Sequence, residues 1–434
     1  MNSQYIDEKK LSKTVIDYSW SFSEKTIKDT SYITHGYYTY PAKFIPQLAS
    51  RIINEYSREG DIVIDPFMGS GTTVVEAIVN NRIGIGTDIN DIAYLVAKVK
   101  TTPIQAMKLL QEFKKIENDL RGRMNGNYAK FVTKSLASVP QGERIDYWFL
   151  PQQKEKLSII FARVLEVEDE DIKNFFLVAF AQILKSCSIW LQKSVKPTRD
   201  QGKKVYEPLV LFSNHAKKMI KRHDEFNRVL SEKVKGNINE FRIIRCEDSR
   251  NLPCEDGSAQ VIVTSPPYVT SYEYADLHQL PSLWFGYLSE LSEFRKKFIG
   301  SAYKNRHNIE LKSPLAQNIV EQLGDNKKGR EVGHYFADML ETFSEVYRAL
   351  KTGGKACVVI GNTQFQGVDI LNAEVFQEQF ENIGFKTYKV IHREIPSKML
   401  PSTRDIETGQ FVKVTDKKAK LAYPTEYILV MEKL

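Results

Sequence analysis

The chain of 434 residues carries 61 lysines and arginines against 54 aspartates and glutamates, a formal net charge of +7, with 42% hydrophobic and 26% charged residues. That composition excludes a disordered or fibrous chain, supplies a sizeable core, and makes two to three domains, or one domain with large insertions, the expectation from length. No stretch reaches the apolar length of a membrane span, Met1–Glu8 lacks the basic-then-apolar character of a secretion signal, and the four cysteines form no CxxC pair with a histidine at ligand spacing; a cytoplasmic protein with reduced thiols, no membrane association and no metal is expected. The mild basicity permits a polyanionic partner without requiring one.

Residues 1 to about 30 are polar with scattered aromatics and read as an irregular arm. Ile45, Leu48, Ile52, Ile53 and Tyr56 recur at helical spacing, Asp61–Ile64 is a short strand, Thr72–Asn80 a helix, Ile83–Thr87 a second strand and Ile92–Val99 a further helix. This alternation argues for a parallel sheet with crossover helices. Residues 101–238 break the rhythm with amphipathic helical stretches (105–119, 153–167 and 171–191) and a loop at 193–206. Sheet character returns at Phe241–Arg245 and Gln260–Thr264, followed by a helix at 336–350, a strand at 356–360, a helix at 373–383 and terminal strands near 388–392 and 427–431. A second interruption spans 269–332, where Lys327, Lys328 and Arg330 read as a mobile loop. The expected fold is therefore α/β, a doubly wound, mostly parallel sheet with a largely helical insertion. Residues 1–100 form an arm and cofactor half, 101–238 the insertion, and 239–434 a catalytic half with its own insertion at 269–332.

Two loops carry chemistry. In Asp65-Pro66-Phe67-Met68-Gly69-Ser70-Gly71-Thr72-Thr73, two glycines allow a tight turn and close approach to a ligand, and the following helix start offers unpaired N–H groups. A plain strand–helix turn is the structural alternative. Asp65 can hold a cationic amine, and Asp88, ending the next strand, suits the hydroxyls of a ribose. The run is neither G-x-G-x-x-G nor a P-loop, and an acid at its mouth disfavours pyrophosphate. A cofactor with an amino-acid part and a nucleoside but no phosphate fits, as in S-adenosylmethionine. The second loop is Ser265-Pro266-Pro267-Tyr268, after the buried strand Gln260–Thr264. Consecutive prolines donate no hydrogen bonds but their carbonyls accept them. A stiff acceptor turn beside a flat ring suits a planar group carrying an NH2; a packing turn is the alternative. Both loops follow strands and can face one cleft.

Together the two motifs resemble those of the exocyclic-amino DNA methyltransferases, which methylate N6 of adenine or N4 of cytosine and adopt a Rossmann-like fold. The resemblance covers residues ~35–100 and ~240–434. It implies S-adenosylmethionine as cofactor and duplex DNA as partner. It assigns Tyr40, Pro41 and Phe44 of Tyr40–Pro46 to covering the methionine part, a segment that otherwise reads as a helix entry, and Asp248 to the adenine amine of the cofactor, otherwise a surface turn. Phe67, Gly69, Gly71, Thr72 and Thr73 complete the expected cofactor site. At the catalytic turn, Ser265 and the Pro266 carbonyl accept from the target amine, Pro267 stiffens the loop and Tyr268 stacks on a flipped-out base. Serine at the first position is more typical of cytosine-N4 enzymes. The motif order, cofactor loop first, is closer to a group with the recognition region between the motifs, and keeps adenine N6 open. An RNA or protein amine methyltransferase and a DNA-binding regulator with a decayed site are further alternatives. A cognate restriction endonuclease is the expected partner if the enzyme serves a restriction–modification pair.

For DNA contact the insertion offers Lys193, Lys196, Arg199, Lys203 and Lys204 in one loop, and the second interruption offers Tyr272, Tyr274, Arg295 and Lys296. Such charge runs are commonly solvated faces; in a DNA enzyme they suit phosphates.

Overall fold

In the computed structural model, which describes residues 11–41, 43–125, 128–194, 196–269, 274–288, 295–301, 309–365, 367–396, 403–405, 412, 415–416, 418–421 and 424–434, seven strands form one sheet. These are β1 (Ile62–Asp65), β2 (Ile83–Thr87), β3 (Arg242–Arg245), β4 (Ala259–Thr264), β5 (Leu350–Ile360), β6 (Phe385–Glu394) and β7 (Thr425–Lys433), in the order β3-β2-β1-β4-β5-β7-β6. The first five strands pair in parallel, and β7 runs antiparallel between β5 and β6. The strand order reverses between β1 and β4, which are adjacent through Val63↔Val261 and Ile64↔Ile262. An open α/β sheet binds its ligands at the carboxyl ends of the strands flanking such a point. The expected doubly wound, mostly parallel fold is present.

The central strands are apolar on both faces because both are covered. Val63, Val261, Val263, Val359 and Ile428 point to one side, against helix α1 (Pro46–Tyr56) and Trp20. Ile64, Ile262, Val358, Ile360 and Leu429 point to the other, against two long C-terminal helices. Within the N-terminal segment expected to be irregular, the described residues 11–30 are organised instead. Trp20 is buried with the Arg51 guanidinium over its ring, and the Asp17 amide donates to the His392 carbonyl on β6. A thin apolar stretch hid this, since one large indole anchors it.

The remaining helices used below are α2 (Thr72–Val79), α3 (Asp91–Thr101), α4 (Ala106–Asn125), α5 (Pro151–Leu165), α6 (Glu170–Cys187), α7 (Pro208–Val229), α8 (Lys327–Ala349) and α9 (Asn372–Ile383). Lys327, Lys328 and Arg330, expected in a mobile loop, form the first turn of α8. The Asn326 side chain caps that turn by accepting from the amides of Lys328 and Gly329, a capping signal that the run of charge obscured. No helix among the described residues is long and apolar enough to cross a membrane.

The two interruptions share one core. Trp284, fully buried, meets Phe149, Phe161 and Phe180 with ring centroids 5.6, 5.7 and 5.3 Å away, near edge-on. The same cluster takes in Tyr37, Tyr38 and Tyr40 and the inner face of α3. The helical insertion is thereby braced against both the cofactor half and the segment after the catalytic turn. Trp284→Ala should cost about 3–5 kcal/mol in denaturant unfolding and expose the insertion to protease; a cost near zero would mean that the two insertions do not stabilise one another.

Candidate active site

The loop after β1 is fixed before any ligand arrives. Asp65, buried at the strand end, accepts from the Thr73 hydroxyl on α2 (2.7 Å), the Thr264 hydroxyl at the end of β4 (2.7 Å) and the Phe67 amide (3.1 Å). The Thr73 hydroxyl also lies 3.1 Å from the Val263 carbonyl. Burial raises the Asp65 carboxyl to about 6 against the opposing effect of these donors. The turn itself needs glycine. Gly69 has φ +47° and packs against the Tyr40 ring, which a Cβ would approach to 3.0 Å, while at Gly71 (φ +74°) a Cβ would lie 2.8 Å from that of Ala97. From below, Lys100 of α3 donates to the Ser70 carbonyl (2.6 Å), and Thr87 donates to that of Pro66 (3.0 Å).

Asp88 follows β2 and accepts from the amides of Gly69 (2.9 Å) and Asn90 (2.9 Å); burial raises it, too, to about 6. A cleft of ≈ 870 Å³ opens above these groups. Of the residues expected to hold the cofactor, Tyr40, Pro41, Phe44, Asp65, Phe67, Gly69, Thr72, Asp88 and Asp248 line it, together with Ser265 and Pro267 of the catalytic turn. The two motifs thus face one cleft. Gly71 and Thr73 stand behind the lining and shape the turn. Asp248 is engaged by Arg250, whose Nε and Nη2 lie 2.9 and 2.6 Å from its two oxygens. Arg250 in turn reaches Asp338 on α8.

The donor set fits a group with a cationic amine and ribose hydroxyls. Three carboxylates rim the cleft, and the Ser70 and Thr72 hydroxyls are buried there with no protein partner among the described residues. Lys43 and His278 were not among the expected site residues. Lys43 lines the cleft and donates to the His35 carbonyl (2.8 Å), and burial lowers its ammonium to about 8. His278 stacks on Tyr40 (4.5 Å, 28°) and so backs the aromatic wall from the second insertion. Lys43 lay within the Tyr40–Pro46 segment and was legible as its one cation. His278 stood out only by following the Ser-Pro-Pro-Tyr turn closely in sequence, and its contact with Tyr40 is not local.

At the catalytic turn, Tyr335 of α8 donates its hydroxyl to the Pro267 carbonyl (2.8 Å). Among the described residues no group hydrogen-bonds to the Ser265 hydroxyl or the Pro266 carbonyl. The Tyr268 hydroxyl reaches Glu426 (3.1 Å), which is itself paired with buried Arg393.

The groups expected to touch DNA divide. Lys193, Lys196, Arg199 and Lys204 are exposed on the loop between α6 and α7, with the Arg199 guanidinium 4.2 Å from the centre of the Tyr147 ring. Lys203 turns inward: its ammonium donates to the Lys185 and Trp190 carbonyls (2.6 Å each), and burial lowers it to about 8. Its charge serves the loop's own backbone, so it leaves the set of candidate phosphate contacts. Arg295 pairs with Asp276, and Lys296 is exposed. Tyr272 lies outside the described residues, and Tyr274 opens the short helix Tyr274–Leu277.

Comparison with known proteins agrees with this site. The sequence model of a DNA methylase family, the N6/N4 methyltransferases, matches residues 1–98 and 259–434, the sheet-forming parts on either side of the helical insertion. The type II methyltransferase M.MvaI of Kocuria varians is 28% identical over 405 residues, covering 86% of this chain and 87% of its own. The type II methyltransferase M.MjaII of Methanocaldococcus jannaschii is 24% identical over 400 residues, covering 72% and 74%. A shorter match, 33% over 99 residues, covers 23% of this chain and 32% of the DNA adenine methyltransferase YhdJ of Escherichia coli. With the glycine loop, its acids and the Ser-Pro-Pro-Tyr turn gathered on one cleft, the chain belongs to the N6/N4 family of DNA methylases, enzymes that use S-adenosylmethionine.

Proposed function

We propose that the enzyme methylates the exocyclic N4 amine of cytosine in a base flipped out of duplex DNA, at a short site shared with a cognate restriction endonuclease. The observation that carries the chemistry is the division of labour on the catalytic turn. The Pro267 carbonyl is taken by Tyr335, whereas the Ser265 hydroxyl, whose residue lines the cofactor cleft, and the Pro266 carbonyl beside it have no hydrogen-bond partner among the described residues. An aromatic amine is a poor nucleophile because its lone pair is spread into the ring. Two acceptors holding its N–H groups draw the nitrogen toward a tetrahedral shape and aim the lone pair. S-adenosylmethionine, when bound, supplies the sulfonium methyl group for direct transfer. Asp65 faces its amine, Lys43 its carboxylate and Asp88 its ribose, while Tyr40 and Phe44 cover the methionine part. Asp248, oriented by Arg250, accepts from the adenine amine. Tyr268, anchored through Glu426, presents its ring to the target base. Lys193, Lys196, Arg199, Lys204 and Lys296 meet phosphates.

Serine at the head of the turn favours cytosine. The motif order and the short match to an adenine enzyme favour the second reading, adenine N6. Methyl-labelled S-adenosylmethionine incubated with duplex DNA, followed by nucleoside analysis, separates them: label in N4-methylcytosine supports the first, and label in N6-methyladenine replaces it with the second.

Ser265→Ala should lower kcat by roughly a hundredfold or more while cofactor affinity stays within about twofold; full activity in this variant would exclude the acceptor role. Tyr335→Phe, which releases the Pro267 carbonyl, should lower kcat about tenfold, the equivalent of one modest hydrogen bond, with cofactor binding unmoved in a calorimetric titration. Cofactor affinity should also depend on pH. Asp65 and Asp88 must be ionised to hold an amine and a ribose, and both titrate near 6. Affinity should therefore fall as pH drops through 6, with a limiting slope approaching two protons, and fall again as pH rises through about 8, where Lys43 loses the charge that meets the carboxylate. The stability of the cofactor-free fold carries the opposite sign from these groups. Both are raised above the ordinary carboxylate value, so the fold binds more protons than the unfolded chain between about pH 4 and 6, and their contribution weakens as pH rises through that window. An affinity that is level down to pH 5 would remove the two carboxylates from the binding step.

A further inference from the structure

Between the two insertions a second cleft of ≈ 880 Å³ opens, and its floor is the fully buried Gln279. The Gln279 Oε1 accepts from the Trp148 indole (3.0 Å) and from Arg144 Nη2 (2.8 Å), and its Nε2 donates to the Asp276 carbonyl (3.0 Å). Indole and guanidinium only donate, so the amide can face them one way round. Arg144 stands at the exposed rim and is tethered there through one terminal nitrogen, which leaves its other N–H groups facing outward from that contact. Across the cleft, Arg295 Nη2 reaches both oxygens of Asp276 at 2.8 and 2.9 Å. Between them Tyr147, half exposed, stands edge-on to Trp148 (5.0 Å, 89°) under the Arg199 guanidinium. Two guanidinium groups from segments far apart in sequence therefore line one opening, each oriented by a buried or acidic partner, and a third, Arg199, lies over Tyr147 beside it.

The opening adjoins the methyl-transfer cleft. His278, next to Gln279, stacks on Tyr40 of the cofactor wall, and Lys297, two residues past Arg295, lines the cofactor cleft itself. A duplex whose target base occupies the first cleft extends past the second. A guanidinium tethered by one nitrogen keeps further N–H groups for bidentate donation to O6 and N7 of guanine in the major groove, with less rotamer freedom to lose on binding than an untethered one. A lysine cannot supply that fork.

We infer that this composite cleft is the DNA-reading surface, with Arg144 donating to a guanine within the recognition site and Arg199 neutralising a phosphate beside it. The inference rests on the reading of the chain as a DNA methyltransferase and adds where its specificity resides. The test is to map every methylated position in plasmid DNA treated with the wild-type enzyme, Arg144→Ala, Arg144→Lys and Arg199→Ala, using cofactor binding as the check on folding. Both Arg144 variants should bind cofactor normally and relax the site at one guanine position by roughly ten- to hundredfold in relative kcat/KM, with lysine no better than alanine. Arg199→Ala should keep the same site, bind DNA more weakly and reduce the salt dependence of binding by about one ion. Arg144→Ala methylating the wild-type site at an undiminished rate overturns the inference. So does a uniform loss at every site with no relaxed position. A wild-type enzyme that labels no DNA fails differently, by removing the function on which the inference depends.

Discussion

One buried carboxylate ties the two halves of the enzyme together. Asp65 ends β1, Thr73 belongs to the first turn of α2, and Thr264 is the residue before Ser265. Their hydroxyls close on the two oxygens of one side chain, at the point where the strand order reverses. Taking a carboxylate out of water costs several kcal/mol, and hydrogen bonds to a charged group return about 1.5–3 kcal/mol each, so the arrangement holds because all its donors are present together. Its consequence is geometric. The glycine loop and the Ser-Pro-Pro-Tyr turn are held to one another through this carboxylate, and transfer between two bound groups is sensitive to displacements of an ångström.

A second polar layer lies under the glycine loop. Glu76 of α2 is buried between the His35 imidazole (2.7 Å) and the Tyr32 hydroxyl, near Lys100. Burial holds His35 well below its usual range and raises Glu76 to about 7. Beneath the loop, Lys100 is likewise pushed well below the ordinary lysine range by burial. These groups are costly in an interior, and each is bonded to the segment or loop that lines the cleft: Lys100 to Ser70, and Lys43 to the His35 carbonyl. The N-terminal segment is thus bound to the sheet through polar contacts, which explains how a stretch with few apolar residues delivers Tyr40 and Lys43 to the cofactor side.

This distinction also sets what the sequence could reveal. Strands β1, β2, β4 and β5 announce themselves as short apolar runs because both faces of the sheet are covered, and the two chemical loops follow from them. Asp65, Asp88 and Ser265 were legible because each ends a strand on the ligand side. Tyr335 and His278 were not, because their roles exist only through residues far away in sequence, the Pro267 carbonyl and the Tyr40 ring. Lys203 was misleading for the same reason. Charge patterning cannot distinguish an ammonium facing solvent from one folded back onto the Lys185 and Trp190 carbonyls. The two insertions looked separate since the aromatic core that unites them draws Phe149, Phe161 and Phe180 from one and Trp284 from the other.

The setting of Tyr268 shows why a buried ion pair belongs beside the catalytic turn. Arg393 and Glu426 sit on neighbouring antiparallel strands, directly opposite in register, and both are buried. Arg393 spends one nitrogen on Glu426 (2.5 Å) and another on the Ser21 carbonyl (3.3 Å). An apolar pair of similar volume would cost less to bury. It could not accept a hydrogen bond, however, and the second oxygen of Glu426 is the one that holds the Tyr268 hydroxyl. Arg393 keeps that carboxylate in place, and the carboxylate holds the far end of the tyrosine so that its long axis cannot swing. Packed along its sides and bonded at its hydroxyl, the tyrosine that closes the Ser-Pro-Pro-Tyr turn is fixed at both ends. The N-terminal arm, through Ser21, is thereby part of the support of the Ser-Pro-Pro-Tyr turn.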